Sequence, residues 1–206
     1  MIEQLSDEWF AARLGKITSS RVKDVMAKGR SGAVSASRKN YMMELLCQRL
    51  TGQREEGFTS TAMQRGTDLE PLARAAYEVN HDALVTEAEF ILHPDYEFTG
   101  SSPDGYVGES GLIEIKCPNT AQHIACIQSG AHDPKYEHQM QHQMFCTGRE
   151  WCDFASFDDR LPEPLQLFVS RVNRDDDKIK AMLDEIQKFE DELQTLTQEM
   201  IERMDK

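Results

Sequence analysis

Apolar residues recur every three or four positions along much of the chain, which is the spacing of one face of an α-helix. In residues 35–50 this pattern runs through Tyr41, Leu45 and Leu46, and Gly52 follows as a helix stop. The same spacing predicts shorter and longer helices elsewhere, at residues 6–15, 18–26, 63–77, 119–127 and 136–146. The apolar faces of these helices are expected to pack into the core.

The last helix that the pattern predicts is the longest, at residues 175–204. Its start is marked by the acidic run of Asp175, Asp176 and Asp177, which favours a helix N-terminus. An apolar stripe with nearly heptad spacing follows, formed by Ile179, Leu183, Ile186, Phe189, Leu193, Leu196, Met200 and Met204. Such a face must be buried on its own domain, on a second subunit or on another protein. Packing on its own domain is the default expectation.

Alternation of apolar and polar residues predicts strands in the middle of the chain. Residues 84–92 alternate in this way, and two strands are expected before Asp104. Residues 151–157 and 165–172 are two further strand candidates. They are expected to extend the sheet that residues 112–116 begin.

The strand at residues 112–116 carries charge within an otherwise apolar segment. Ile113 and Ile115 alternate with Glu114 and Lys116, so a strand buries the isoleucines on one face and projects the two charged groups from the other. Burying charge is costly unless it is paired or bound to a metal. An exposed ion pair between Glu114 and Lys116 is the commoner meaning of this pattern, and a divalent metal site is the alternative.

A turn ten residues earlier adds a second carboxylate. Pro103 and Gly105 bracket Asp104, and both residue types favour a tight turn. Carboxylates such as Asp104 and Glu114 are the ligands that Mg²⁺ prefers, and such an ion can catalyse phosphodiester cleavage. Lys116 would then orient or deprotonate the attacking water or stabilise negative charge. The combination of these residues favours a metal-dependent nuclease over a simple ion pair as the explanation of the pattern.

Charge and composition limit the other function classes. The net charge is −13, yet residues 1–54 carry ten Lys/Arg against five Asp/Glu, and residues 55–206 carry thirteen against thirty-one. An acidic protein can hold DNA through such a basic part, with metal neutralising the carboxylates. The helix starting near residues 18–20 offers a phosphate-binding N-terminus, although a solvated Ser/Thr cap is the commoner outcome.

Length and composition predict a single domain spanning residues 1–206. The five cysteines are odd in number and scattered, so neither a disulfide framework nor a metal cluster is indicated. No targeting segment or membrane-spanning run is recognised, which leads us to expect a soluble, cytoplasmic protein without membrane contact.

Two further polar groups have alternative interpretations. Glu70 and Arg74 lie four residues apart on a predicted helix, so they form either an exposed ion pair or a carboxylate aimed at the metal site. In the helix at residues 136–146, Gln139 and Gln143 fall one turn apart, whereas Gln141 faces elsewhere.

Four segments together resemble the phage lambda exonuclease group, within the RecB-like PD-(D/E)xK nucleases. They are residues 9–20 (WFAARLGKITSS), 66–71 (GTDLEP), 101–105 (SSPDG) and 113–118 (IEIKCP). The similarity runs from about Trp9 to Phe157, and the ordered set is more specific than any one motif.

The resemblance implies an α/β fold, with a central mixed β-sheet flanked by helices around a restriction-endonuclease-like PD-(D/E)xK core. It implies a processive 5'-to-3' exonuclease on linear double-stranded DNA, dependent on Mg²⁺ or alternatively Mn²⁺, that leaves 3' single-stranded overhangs. It also implies a homotrimeric ring, a single-strand-annealing recombinase as partner, and a phage or prophage origin in a bacterial host.

Site roles follow from the same resemblance, position by position. The implied metal ligands are Asp104, Glu114 and Ile115, the implied catalytic lysine is Lys116, and Glu70 is the additional acidic residue. The implied 5'-phosphate contacts are Arg13, Ser20 and Ser102, and Tyr136 is a further implied DNA contact. Gln141 aligns best with the family's active-site glutamine, with Tyr136 nearby, although the run of three glutamines leaves Gln139 and Gln143 as alternatives.

Two other functions compete with the exonuclease. One is a PD-(D/E)xK endonuclease of restriction or repair type, and the other is a non-catalytic module that clamps DNA or docks an annealing protein. A Cas4-like enzyme with an iron–sulfur cluster is disfavoured by the scattered cysteines.

Overall fold

The computed structural model describes residue 4 and residues 6–30, 33–55 and 60–204, excluding the side chain of Met204. Two sheets and seven α-helices lie within these ranges. The helices are α1 (Asp7–Arg13), α2 (Val22–Met26), α3 (Ala36–Thr51), α4 (Thr61–His81), α5 (Thr120–Ser129), α6 (Glu137–Thr147) and α7 (Asp176–Met204). The strands are β1 (Ile17–Thr18), β2 (Val85–Thr86), β3 (Ile91–Leu92), β4 (Thr99–Ser101), β5 (Gly105–Val107), β6 (Gly111–Lys116), β7 (Trp151–Phe157) and β8 (Leu167–Asn173).

The larger sheet is mixed and has the order β2-β5-β6-β7-β8. β6 pairs in parallel with β7 and antiparallel with β5, and it occupies the centre of the sheet. The smaller sheet has the order β1-β4-β3. The expected mixed α/β architecture is therefore confirmed, and β7 and β8 extend the sheet of β6 as predicted.

Helices cover both faces of the larger sheet because β6 is apolar on both. On one face, Ile113 and Ile115 pack with Ala73 and Tyr77 of α4. On the other, Leu112 packs with residues of α5 and α6, including Met140. Glu114 shares this second face, so its carboxylate points toward α6 rather than into solvent.

The long C-terminal helix α7 packs on its own domain, as expected from the sequence. Ile186, Phe189 and Leu193 are fully buried against α2 and α3. The ring of Phe189 stacks on Tyr41 with centroids 5.6 Å apart. None of the described helices combines the length and the apolar character needed to cross a bilayer.

Two expectations about short elements were wrong. Residues 84–92 do not form one strand, because β2 pairs with β5 and β3 pairs with β4 in the other sheet. Ile17 and Thr18 form β1, parallel to β4, where a helix start was expected. The α2 helix begins after a 3₁₀ turn, and neither Thr18 nor Arg21 makes a side-chain cap.

Candidate active site

Asp104 is held against β6 by the end of a strand pairing. β5 and β6 pair only as far as Gly105 and Ile113, so the N–H of Ile115 lacks a strand partner on that side. It donates instead to Oδ2 of Asp104, at 2.6 Å. At the next residue, Gly105, β2 packs closely on β5, because a Cβ there would lie 2.2 Å from Cγ1 of Val85. The turn and the strand thus fix one carboxylate.

Glu114 is fully buried and all its described partners are donors. Oε1 accepts hydrogen bonds from Nζ of Lys116 and from Nε2 of Gln139, the latter at 2.5 Å. Oε2 accepts from Nε2 of Gln143. The commoner sequence interpretation, an exposed ion pair, is wrong in one respect, because the pair forms but its carboxylate has no solvent exposure.

The charged groups perturb one another strongly. Burial and the nearby charge of Glu114 raise the pKa of Asp104 well above its ordinary value. Burial lowers the pKa of Lys116, but Glu114 and Asp104 outweigh it and the net pKa is raised. Lys116 is therefore a stable cation, while the carboxylates repel each other and favour a bound positive charge.

Glu70 combines features of its two predicted roles, the ion pair with Arg74 and the carboxylate near the metal site. Its Oε1 is 3.6 Å from Nη2 of Arg74, so the expected ion pair exists. Burial raises the pKa of Glu70, and the charge of Glu114 adds to this increase while Arg74 and Lys116 oppose it. Glu70 therefore interacts with the Glu114 site electrostatically. Arg74 also donates to the main-chain carbonyl of Asp104 at 3.1 Å and links α4 to the turn.

Two of these charged groups, Glu70 and Lys116, border a cleft of about 510 Å³. Glu70, Ile115, Lys116 and Tyr136 line it. The ring of Tyr136 lies at the start of α6, with its centroid 5.4 Å from Nζ of Lys116. The sequence-predicted catalytic residues are thus brought together, with the exception of Gln141.

The donor set fits a hard divalent cation that also takes oxygens from a substrate. Among the described residues, no three His, Cys, Asp or Glu side chains are gathered into a metal site of their own. Mg²⁺ commonly uses only one or two protein carboxylates and completes its shell with water and phosphate. Asp104 and Glu114 match that pattern, and their mutual repulsion is the condition that a cation relieves.

The glutamine assigned from the resemblance, Gln141, does not contact Glu114. Gln141 is buried, donates to the carbonyl of Asn173 at 2.9 Å and accepts from the N–H of Asp175. Residues two apart on a helix point roughly 200° apart, so Gln141 faces away when Gln139 and Gln143 face Glu114. The helical spacing of Gln139 and Gln143 thus agrees with their shared contact to Glu114.

Arg13 lies in a second cleft, of about 480 Å³. Its Nη1 donates to Oγ of Ser102 at 3.1 Å, and Nε1 of Trp9 donates to the same oxygen at 3.0 Å. Ser20 is exposed on the wall of this cleft. This arginine cleft adjoins the cleft lined by Glu70 and Lys116, hereafter the carboxylate cleft, because Met63 borders both. The three predicted phosphate contacts are therefore grouped.

Comparison with solved structures gives close matches over nearly the whole chain. The crystal structure of an alkaline exonuclease (LHK-Exo) from Laribacter hongkongensis has a TM-score of 0.91 and 52% sequence identity, covering 97% of this chain and 98% of that one. A structure of LHK-Exo in complex with dAMP gives the same values.

A more distant match supports the fold. A phage related exonuclease from Haemophilus somnus 129PT has a TM-score of 0.68 at 18% identity, covering 92% of this chain and 96% of that one. This identity is low enough that the match concerns the fold alone. The comparison with curated proteins found no significant match.

The family assignment rests on the sequence model as well as on the structural matches. A model described as the YqaJ-like viral recombinase domain matches residues 8–150, which is more than half of the chain. The resemblance to the lambda exonuclease group that the motifs indicated is thereby confirmed. The chain belongs to the YqaJ-like viral recombinase family.

Proposed function

We propose that this protein is a Mg²⁺-dependent, processive 5'-to-3' exonuclease acting on linear double-stranded DNA, with Mn²⁺ as an alternative metal. Its product is a 3' single-stranded overhang for annealing recombination. The observation that carries the proposal is Glu114, a fully buried carboxylate beside Asp104 with Lys116 bound to it. Catalysis is the function that best explains the cost of burying this cluster at a cleft.

The close relatives support the same reaction class. LHK-Exo is described as an alkaline exonuclease, and one of its structures is a complex with dAMP. Deoxynucleoside monophosphates are the form in which an exonuclease releases single nucleotides. The identity of 52% over 97% of the chain favours a shared activity.

Each residue of the site has a role in this proposal. The metal would be held by Asp104, Glu114 and Ile115. A bound metal would lower the pKa of a water molecule and neutralise charge on the phosphate. Lys116, as a cation, orients the attacking water and stabilises the negative charge that develops. Glu70 is the additional acidic group.

The 5'-to-3' direction of degradation is set by the arginine cleft. Arg13 binds a terminal 5'-phosphate through charge-assisted hydrogen bonds, with Ser20 and Ser102 as accessory contacts. Because the two clefts adjoin at Met63, a strand whose 5' end is held at Arg13 extends toward the carboxylates. Tyr136 contacts the strand at the other side of the carboxylate cleft.

Assembly completes the proposal. A homotrimeric ring around the duplex would explain processivity, because dissociation then requires threading off an end or opening the ring. The partner is a single-strand-annealing recombinase that receives the overhang. The setting is the cytoplasm of a bacterial host, with the gene carried by a phage or prophage.

The proposal is tested by nucleotide release from linear and covalently closed circular duplex, with Mg²⁺ and with chelator. We expect release from the linear duplex only, and only with metal. Lys116→Ala should abolish it, whereas Lys180→Ala, an exposed lysine on α7, should not. Cutting of the closed circle would support the endonuclease instead. Equal activity of Lys116→Ala and wild type would reject catalysis at this site.

A further inference from the structure

We infer that Arg54 is a second phosphate-binding arginine, which acts with Arg13 to select a terminal 5'-phosphate over a 5'-hydroxyl. The inference rests on the proposed function and adds a specificity residue to it. Arg54 follows α3 and is far from Arg13 in sequence, but both side chains line the same cleft. Neither motif nor spacing in the sequence indicated Arg54.

Each of these guanidinium groups stacks on one of two neighbouring aromatic rings of α1. The Arg13 guanidinium lies 3.9 Å from the ring centroid of Trp9, and the Arg54 guanidinium lies 3.6 Å from that of Phe10. Trp9 and Phe10 pack edge to face with their centroids 4.9 Å apart. An arginine stacked on a ring keeps its N–H edge free for an anion. The aromatic pair thus orders two donors side by side.

The positive charge of these two groups is not neutralised by any described carboxylate. The third arginine of the cleft, Arg21, pairs with Asp24 at 2.6 Å and with Glu44 at 2.8 Å. Among the residues that the structure describes, no Asp or Glu forms a salt bridge with Arg13 or Arg54. The cleft therefore contains an excess of cationic donors, which favours an anionic ligand.

Charge in the cleft is also costly without an anion. Burial lowers the pKa of Arg13 to about 10, with a smaller decrease from the charge of Arg54. A bound anion would remove both costs, because it pairs with the buried guanidinium and screens the repulsion between the two. A ligand with two negative charges satisfies the pair better than one with a single charge.

A 5'-terminal phosphate is such a ligand. A phosphate monoester carries about −1.5 to −2 charges at neutral pH, whereas each internal phosphodiester carries one. A 5'-hydroxyl end has neither. Arg13 and Ser102 would contact one side of the terminal phosphate, and Arg54 would contact another through the charge-assisted bonds that guanidinium groups make. Arg54 then increases the preference for phosphorylated ends.

The test compares duplexes that differ only in a 5'-phosphate or a 5'-hydroxyl. Fluorescence anisotropy in chelator measures end binding without cleavage, and the initial rate of nucleotide release with Mg²⁺ measures turnover. Arg54→Gln should weaken the phosphate-dependent part of both by about tenfold. Lys39→Gln is the matched control, since Lys39 is exposed on α3 and lies outside the cleft lining. It should leave the preference unchanged.

The double variant Arg13→Gln/Arg54→Gln adds a second criterion. If the two arginines share one phosphate, their effects on the phosphate preference should be less than additive. The inference is overturned if Arg54→Gln weakens both ends equally, as Lys39→Gln would through general charge loss. It is also overturned if the wild type shows no preference for phosphorylated ends.

The proposed function can fail separately. A wild type that prefers phosphorylated ends in anisotropy but releases no nucleotide would contradict the exonuclease and leave the Arg54 site standing. A wild type that degrades linear duplex while Arg54→Gln retains the full preference would contradict the Arg54 site alone.

Discussion

At the scale of single residues, Glu114 determines how the candidate site is built. Its two carboxylate oxygens are held by different glutamines of one helix, Gln139 on Oε1 and Gln143 on Oε2. Gln143 is fully buried, so it anchors the inner oxygen away from the cleft. Hydrogen bonds of this kind orient a metal-binding carboxylate and are commonly as important as the ligand itself.

Gln143 and Gln141 provide a matched pair of variants on one helix. Gln143→Met should lower nucleotide release about tenfold or more, because the donor to Glu114 is lost. Gln141→Met removes bonds to Asn173 and Asp175, so it should reduce thermal stability but retain the rate per folded molecule. The measurements are melting temperature and initial rate at a temperature where both variants are folded. Equal loss of rate in both variants would contradict the separation of roles.

The residues that were predictable are those whose spacing is local. The grouping of Asp104, Glu114 and Lys116 could be predicted because a turn and one strand bring them together within thirteen positions. Helical spacing put Gln139 and Gln143 on one face of α6, whereas the resemblance favoured Gln141. Arg54 was not predictable, because the cleft that it shares with Arg13 forms only when α1 meets the end of α3.

At the scale of elements, α6 is fixed to the smaller sheet by a buried histidine. Nδ1 of His142 lies 2.8 Å from Oγ of Ser19, and Nε2 lies 3.0 Å from Oγ1 of Thr99. The same helix presents Gln139 and Gln143 to Glu114. His142 therefore links the position of these glutamines to β4 and to the 3₁₀ turn that follows β1.

This histidine predicts a pH dependence of stability. Burial lowers the pKa of His142 from 6.5 to about 3. Between these values the unfolded chain binds a proton that the native state does not. The contribution is thus fully present above about pH 6.5, and the free energy of unfolding falls by about 1.4 kcal/mol per pH unit below it. Urea unfolding between pH 7.5 and 5 should show a steeper slope for wild type than for His142→Gln. Parallel slopes would show that His142 is not buried as a neutral group.

The packing of α7 gives a second prediction at this scale. Phe189 is fully buried against Tyr41 of α3, so Phe189→Ala should reduce the free energy of unfolding by about 3–5 kcal/mol. Lys180→Ala on the exposed side of the same helix should change it by less than about 0.5 kcal/mol. Chemical denaturation measures both. Similar small effects would mean that the apolar face of α7 is not packed on its own domain in solution.

Long helices were more predictable than short strands for a physical reason. The periodicity of α3, α4 and α7 is a local property, and these helices agree with the expected ranges within a few residues. The strands β1, β2 and β3 have two residues each and exist only through partners distant in sequence. Alternation in residues 84–92 could not show that the chain crosses from one sheet to the other.

At the scale of the whole molecule, the charge distribution accommodates an acidic protein that handles DNA. The net charge is −13, but the first 54 residues have an excess of five positive charges. Arg13 and Arg54 of the arginine cleft both belong to this basic part. Carboxylates dominate the remainder, where Asp104 and Glu114 form the proposed metal site. The arginine cleft is lined by four cationic side chains and one carboxylate, whereas Glu70 and Lys116 line the other cleft, beside the proposed metal site. An excess of cationic side chains suits the binding of phosphate.

The proposed ring predicts an oligomer in solution. Light scattering coupled to size exclusion should give a mass of three times 23.5 kDa if the trimer forms. Processivity should then persist when excess unlabelled duplex is added after the reaction starts. A monomeric mass together with immediate arrest by the competitor would contradict the ring and leave the cleavage chemistry untouched.

The most direct test of the central claim is the direction of degradation. Linear duplexes are labelled separately at the 5' and the 3' terminal nucleotide and incubated with enzyme and Mg²⁺. A 5'-to-3' exonuclease releases the 5' label early as a mononucleotide and retains the 3' label in a lengthening single strand, and neither chelator nor Lys116→Ala should permit release. Early release of the 3' label, or release without metal, would contradict the proposed function.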